Sequence, residues 1–256
     1  MGTLIGLIIG VVAVVVAMFF KEVSFDVFIN PAAIFVIFVG TAGAVTVSTP
    51  INELKNLPKL FGVVFGKDKG LSVRSAIDKL TEFASLARKE GLLALEPRVG
   101  EIDDPFMKRG AALLVDGCEP EMIRKILNED IEAMEDRHAA GANIFSQAGA
   151  YAPTLGVLGA VLGLIAALGH MDDTEALGHA ISAAFIATVL GIFTGYVLWH
   201  PIANKLKRMS AQEVHVKTLV MEGLIGMSEG VNARMLAELL NSMVAVGERA
   251  GQEGGE

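Results

Sequence analysis

The residue types able to do chemistry are sparse in these 256 residues. His170, Asp172, Asp173 and His179 crowd one short stretch, and imidazole beside carboxylate is common material for a divalent-metal site. The same stretch is a turn between two apolar runs, where polar side chains are expected simply because they meet water. A solvated turn is the reading adopted here. Cys118 is the only cysteine, which excludes an intrachain disulfide and a thiolate cluster; a buried, inert thiol is expected. No nucleophile–base constellation or phosphate-cradling loop stands out, so no catalytic residue, metal or cofactor is expected. What remains is Pro153 inside one apolar run, Thr188 inside the next, and Pro201 at the end of the second.

Those runs are roughly Gly149–Leu168 and Leu177–Trp199, joined by the acidic turn Met171–Glu175. Each has about the 20 residues a helix needs to cross a hydrocarbon core. No Asp, Glu, Lys or Arg falls between Arg137 and Asp172, nor between Glu175 and Lys205. The short turn makes the two helices antiparallel neighbours. Ala152, Gly156, Ala160, Gly163 and Ala167 recur in the first at steps of four and three. Ala180, Ala184, Ala187, Gly191 and Gly195 do the same in the second. Apolar burial drives little association in lipid, and stripes of small residues allow close backbone approach instead. A proline inside a helix removes one hydrogen bond and favours a kink. A charged side chain at the bilayer centre costs at least about 2.5–3.5 kcal/mol and marks an ion pathway. With none here, the chain cannot run a carboxylate-based proton relay by itself.

The composition is 52% hydrophobic with a mean hydropathy of +0.53, which places the chain among integral membrane proteins. The net charge of −8 argues against nucleic acid as a partner. Two further apolar helices are expected, Thr3–Phe20 and Pro31–Thr49, with Pro31 suited to a first helical position. The uncharged first 20 residues read as a retained helix and not a cleaved leader. Residues 51–146 read as a helical, water-facing domain. Its faces are Val73, Ile77, Leu80, Ala84 and Ala87 before Gly91, a helix opened by Asp104-Pro105, and Met122, Ile123, Ile126, Leu127, Ile131 and Met134 after Pro120. Beyond Pro201 the helical register continues through Leu224, with Met221, Met227, Met235 and Met243 as gap-fillers and a disordered end. The fold class is therefore an all-α integral membrane protein. Residues 1–50 hold spans one and two, 147–200 hold spans three and four, and 201–256 form a helical extension. Fourteen of the 21 Lys and Arg residues lie in 51–146 and six after His200. Positive residues flanking spans stay inside, so both termini and 51–146 are expected in the cytoplasm.

At NPAAI, LARKEGLLALE, VDG, EAMEDRHAAGA, APTLGVLGAVLGLIAALGHMD and HPIANKLKR the sequence resembles the A subunits of bacterial flagellar stators, in the MotA/TolQ/ExbB proton-channel family. The likeness covers most of the chain and is greatest to the Bacillus-like branch. It implies a multi-pass protein of the bacterial cytoplasmic membrane, five copies of which surround two B subunits. Each MotB-like B subunit supplies a membrane aspartate, and ion passage there drives rotation against the rotor switch protein FliG. The resemblance puts the family's two functional prolines on Pro153 and Pro201 and its channel-lining threonine on Thr188. It puts the rotor-facing charges on Arg88 and Glu96. Sodium-driven members carry threonine where this chain has Ala160, which implies protons here. ExbB and TolQ, which energise outer-membrane transport, are the alternative; they usually have three spans and a different loop order.

Overall fold

The computed structural model describes residues 2–23, 28–66, 70–169 and 172–244. His170, Met171 and the terminal tail named above lie outside the described residues. All described elements are helical. The chain divides into two compact units, Met1–Lys67 with His138–Arg208, and Asp68–Arg137 with Met209–Glu256.

The first unit holds helices α1 (Gly2–Phe20), α2 (Pro31–Ser48), α3 (Ile51–Leu54) and α4 (Leu57–Phe65). Asn30 starts α2 by accepting a hydrogen bond from the Ala33 amide at 3.1 Å, with Pro31 at the first position. Ser48-Thr49-Pro50 stops it, because the residue before proline is pushed out of the helical region. Helix α8 (Pro120–Leu168) is a single 49-residue helix with Pro153 inside it. The charged helix expected after Pro120 and the third apolar span are therefore one element. No glycine pair or second proline interrupts the register between them, so propagation continues at one hydrogen bond per residue. Helix α9 (Thr174–Phe193) starts at Asp173, whose carboxylate accepts from the Glu175 and Ala176 amides, each at 3.0 Å. A π-helical segment, Thr194–Trp199, follows, and α10 (His200–Ser228) continues without a break.

Among the described residues, four helices are long and apolar enough to cross a membrane: α1, α2, α8, and the continuous run from α9 through α10. Their large side chains are widely exposed; Phe35 is 65%, Phe185 69% and Ile165 61% accessible. Surfaces of this kind face lipid or another subunit. The packed interior of this unit is correspondingly thin. One cluster gathers Val64, Ala142, Phe145, Ile202, Ala203 and Leu206, with the Phe145 ring stacked on Trp199 at 6.3 Å. Another gathers Ala33, Ala160, Ala184 and Ala187. Lys205 ties three segments together: its ammonium donates to the Thr3 hydroxyl at 2.6 Å and to the Val64 carbonyl at 2.5 Å. The start of α1, the end of α4 and the early part of α10 thus meet at one level.

The second unit has a conventional apolar core. Helix α5 (Val73–Glu90) is capped by Ser72, whose hydroxyl accepts from the Ser75 amide at 3.2 Å. Gly91 follows with φ of +87°, a left-handed conformation that favours glycine. Leu92–Leu95 is a 3-10 turn and α6 is Glu96–Val99. Asp104 caps α7 (Pro105–Val115), accepting from the Met107 amide at 2.7 Å. Asn232 caps α11 (Ala233–Ser242) in the same way. Ile77, Leu80, Met107, Ile123, Leu127 and Leu224 are almost wholly buried in this core. Arg124 donates two hydrogen bonds to the Glu222 carboxylate. Those hydrogen bonds, above all, hold the Arg124 guanidinium pKa above its ordinary value.

Three expectations change. Met122 is exposed, because Ile123, Leu127, Ile131 and Met134 define the inward stripe and position 122 lies about 100° away from it. Met235 is exposed for the same reason beside Leu236 and Leu240, whereas Met221 and Met227 are buried. Cys118 is half-buried, packed against the rim of the core.

Candidate functional site

The site is built by α8 and α9 at the places where their backbones nearly touch. A methyl group on Gly156 would lie 2.8 Å from the Ala187 carbonyl oxygen and 2.9 Å from the Gly191 Cα. One on Gly191 would lie 2.8 Å from the Ala152 carbonyl oxygen and 2.8 Å from the Gly156 Cα. Beyond the end of α9, one on Gly195 would meet the Gly149 carbonyl oxygen and the Pro153 ring, both at 2.8 Å. Three successive glycine contacts therefore set carbonyl oxygens of one helix against Cα atoms of the other. Such Cα–H···O contacts recur at close helix crossings. Gly159 and Gly163 continue the seam at ordinary van der Waals distance from Ala187 and Ala184.

Pro153 shapes this seam. It has no amide hydrogen for the carbonyl of Gly149 four residues back, and that carbonyl is the one aimed at Gly195. The helix is not broken there; the neighbouring element covers the gap. Gly195 lies in the second irregularity, the π segment, where the His200 amide donates to the Gly195 carbonyl five residues back. Pro201 lies immediately beyond. A proline at 201 cannot serve the Val197 carbonyl, and a turn one residue wider lets the ladder pass that missing donor. The Thr194 hydroxyl closes the other end, donating to Leu190 O at 2.8 Å and Gly191 O at 3.1 Å. Pro153 and Pro201 thus bracket one non-α turn. The sequence reading missed that turn; its signal was a proline six residues after Gly195 in a helix whose apolar register does not stop. π turns concentrate at functional sites.

Ala160 is buried against Ala33, Ala184 and Ala187. Thr188 is half-buried, and its hydroxyl donates to the Ala184 carbonyl at 3.3 Å. Pro201 is exposed. Pro153, Ala160 and Thr188 therefore belong to one helix pair, and Pro201 to the turn that extends it. Arg88 and Glu96 belong to the other unit, Arg88 in the last turn of α5 and Glu96 at the start of α6. Both are exposed and neither takes part in an ion pair among the described residues. Arg98 beside them does, with Glu82 at 2.7 Å and Glu101 at 3.0 Å. Among the described residues no group of three His, Cys, Asp or Glu is placed to hold a metal.

Four candidate spans among the described residues and a glycine-sealed helix pair define a multi-pass, all-helical membrane protein. Residues 98–218 match the model of the MotA/TolQ/ExbB proton channel family. The chain is 56% identical over 238 residues to motility protein A of Bacillus subtilis (strain 168), covering 93% of this chain and 88% of that one. It superposes with a TM-score of 0.91 on a chain of the flagellar MotAB stator complex from Bacillus subtilis, at 54% identity and 96% of both chains. The score is 0.93 at 33% identity for C. jejuni MotAB, over 98% of this chain and 99% of that one. The chain belongs to the MotA/TolQ/ExbB proton channel family, as a flagellar stator subunit of the motility protein A type, and is not an enzyme.

Proposed function

We propose that five copies of this chain surround two MotB-like B subunits, and that the assembly conducts protons and turns their passage into torque on the rotor switch protein FliG. The observation that carries this reading is the α8–α9 pair. It is sealed backbone to backbone, offers the Thr188 hydroxyl, and contains no Asp, Glu, Lys or Arg across its apolar length. A wall of this kind needs a titrating group from another chain, and the B subunit's membrane aspartate supplies it. Pro153 and Pro201, at either end of the non-α turn, are the positions at which a change in charge on that aspartate is transmitted along α9 and α10.

Ala160 favours protons. A dehydrated sodium ion needs several oxygen ligands in place of its water, whereas a proton needs one carboxylate and a water chain. Motors built on this subunit keep their speed at fixed pH and membrane potential when potassium replaces sodium, and they slow when a protonophore is added. Rotation that stops without sodium, and returns in proportion to added sodium, overturns the assignment.

Both termini and residues 51–146 lie in the cytoplasm of this bacterial membrane protein. The Lys205 bonds to Thr3 and Val64 support this, because they require the start of α1, the end of α4 and α10 to share one side. The excess of Lys and Arg assigns that side to the cytoplasm. In a background lacking Cys118, a cysteine at Asp173 labels from outside intact cells, and one at Lys125 labels only after permeabilisation. Labelling of both from the same side refutes the four-span topology.

Arg88 and Glu96 engage the rotor. As solvated charges they contribute under about 1 kcal/mol each to folding, so reversing either leaves subunit abundance unchanged. Swimming is lost, and reversal of the matching charge on the rotor partly restores it. Abundance falling in step with swimming makes their role structural.

A further inference from the structure

A groove of about 660 Å³ opens in the first unit between α1 and the stretch running from the π segment into α10. Gly6 and Leu7 form one wall, Tyr196, Val197 and Pro201 the other, and Lys205 with Thr3 sits at one end. Its polarity is graded along the membrane normal. Helix α1 has 19 residues, about 28 Å at 1.5 Å per residue, close to the thickness of a hydrocarbon core. Thr3 lies in its first turn, so the ammonium bonded to it stands at headgroup level. Leu7 is about 6 Å deeper along α1, and Tyr196 about 13 Å before Lys205 along its own helix, both at acyl-chain depth.

Lys205 has three N–H donors. Two are taken by neutral acceptors, Thr3 and Val64 O, and among the described residues no carboxylate pairs with the ammonium. Lys207 and Arg208 follow it, and no acidic residue occurs between Glu175 and Glu213. The mouth of the groove is therefore positive and its depth apolar. We propose that the groove holds an anionic phospholipid from the leaflet at Lys205's level, with one acyl chain along Gly6 and Leu7 and its phosphate accepting the third Lys205 N–H. Basic pockets between membrane helices bind such headgroups on these terms. The lipid would then lie against Pro201 and the π segment, so that its occupancy bears on the irregular turn.

The test compares phosphatidylglycerol with phosphatidylcholine retained by the full chain, co-purified with its B-type partner, in native mass spectrometry from mixed-lipid nanodiscs. The intact chain should prefer phosphatidylglycerol by about fivefold, the effect of one lysine at an anionic surface. Lys205→Gln should bring the ratio close to one, and Lys205→Arg should keep it. A Cβ atom added at Gly6 meets nothing within 4 Å and Gly6 lines the groove, so Gly6→Leu should project into the groove and displace both lipids. An unchanged ratio in Lys205→Gln overturns the proposal, as does undiminished lipid in Gly6→Leu. A change of oligomeric state in Gly6→Leu with lipid retained also overturns it, and assigns the groove to a second copy of the chain.

Discussion

Gly156→Ala destabilises the subunit and abolishes swimming, whereas Gly43→Ala leaves both intact. The two substitutions are chemically identical and both fall in apolar helices. Replacing glycine by alanine in a helix is ordinarily favourable by about 0.5–1 kcal/mol. Nothing lies within 4 Å of a methyl group at Gly43, so that gain, or no change, is what Gly43→Ala delivers. At Gly156 the methyl group meets the Ala187 carbonyl and the Gly191 Cα at under 3 Å. Both obstacles are backbone, and no side chain can turn aside. The helices must separate, at the usual overpacking cost of about 1–3 kcal/mol or more. The Gly191 and Gly195 contacts open with them, because all three lie on one seam. Gly191→Ala gives the same result from the other side. Subunit abundance in membranes and the thermal midpoint of the purified complex measure the effect. Equal behaviour of Gly43→Ala and Gly156→Ala contradicts the backbone-contact description of the seam.

That seam is legible in the sequence, and for a physical reason. Few sequence patterns other than close helix approach call for small residues at steps of three and four in two adjacent apolar runs. The caps were legible too. Asp104-Pro105 and the Gly91 terminus act within a few residues, so tertiary context has little room to override them. Helix α2 ends one residue from the expected Thr49 for the same reason. The fusion of the charged segment after Pro120 with the third apolar span was not legible. The change from charged to apolar residues is a change of surroundings, and it leaves the backbone register intact. The π segment escaped as well, since its cause, a missing donor at Pro201, has several structural solutions. The exposure of Met122 and Met235 turned on an offset of one position, which apolar character alone does not fix.

The site residues divide along similar lines. Pro153 and Thr188 stood out from the residues themselves, as features that ordinary helix packing does not require, and the structure puts both on the tight pair. Arg88 and Glu96 did not stand out, for an exposed charge in a heavily charged segment carries no signal of its own. Their assignment came from resemblance. What the structure adds is the contrast with Arg98, which is bound to Glu82 and Glu101 while Arg88 and Glu96 face solvent.

The central claim is that this chain forms a channel wall and lacks the group that titrates. The wall has no Asp, Glu, Lys or Arg between Arg137 and Asp172 or between Glu175 and Lys205, and α1 and α2 have none either. Ionisable side chains inside a membrane are costly and persist where ions move, and for this reason the proposed function takes its titrating group from the B-type partner. The decisive measurement is proton flux into vesicles energised by a potassium diffusion potential. They would contain this chain alone, the chain with its B-type partner, or the chain with a partner whose membrane aspartate is replaced by asparagine. Flux should rise above the protein-free background only with the intact partner, and the asparagine variant should assemble normally yet conduct nothing. Robust flux from this chain alone, or undiminished flux with the asparagine partner, contradicts the account.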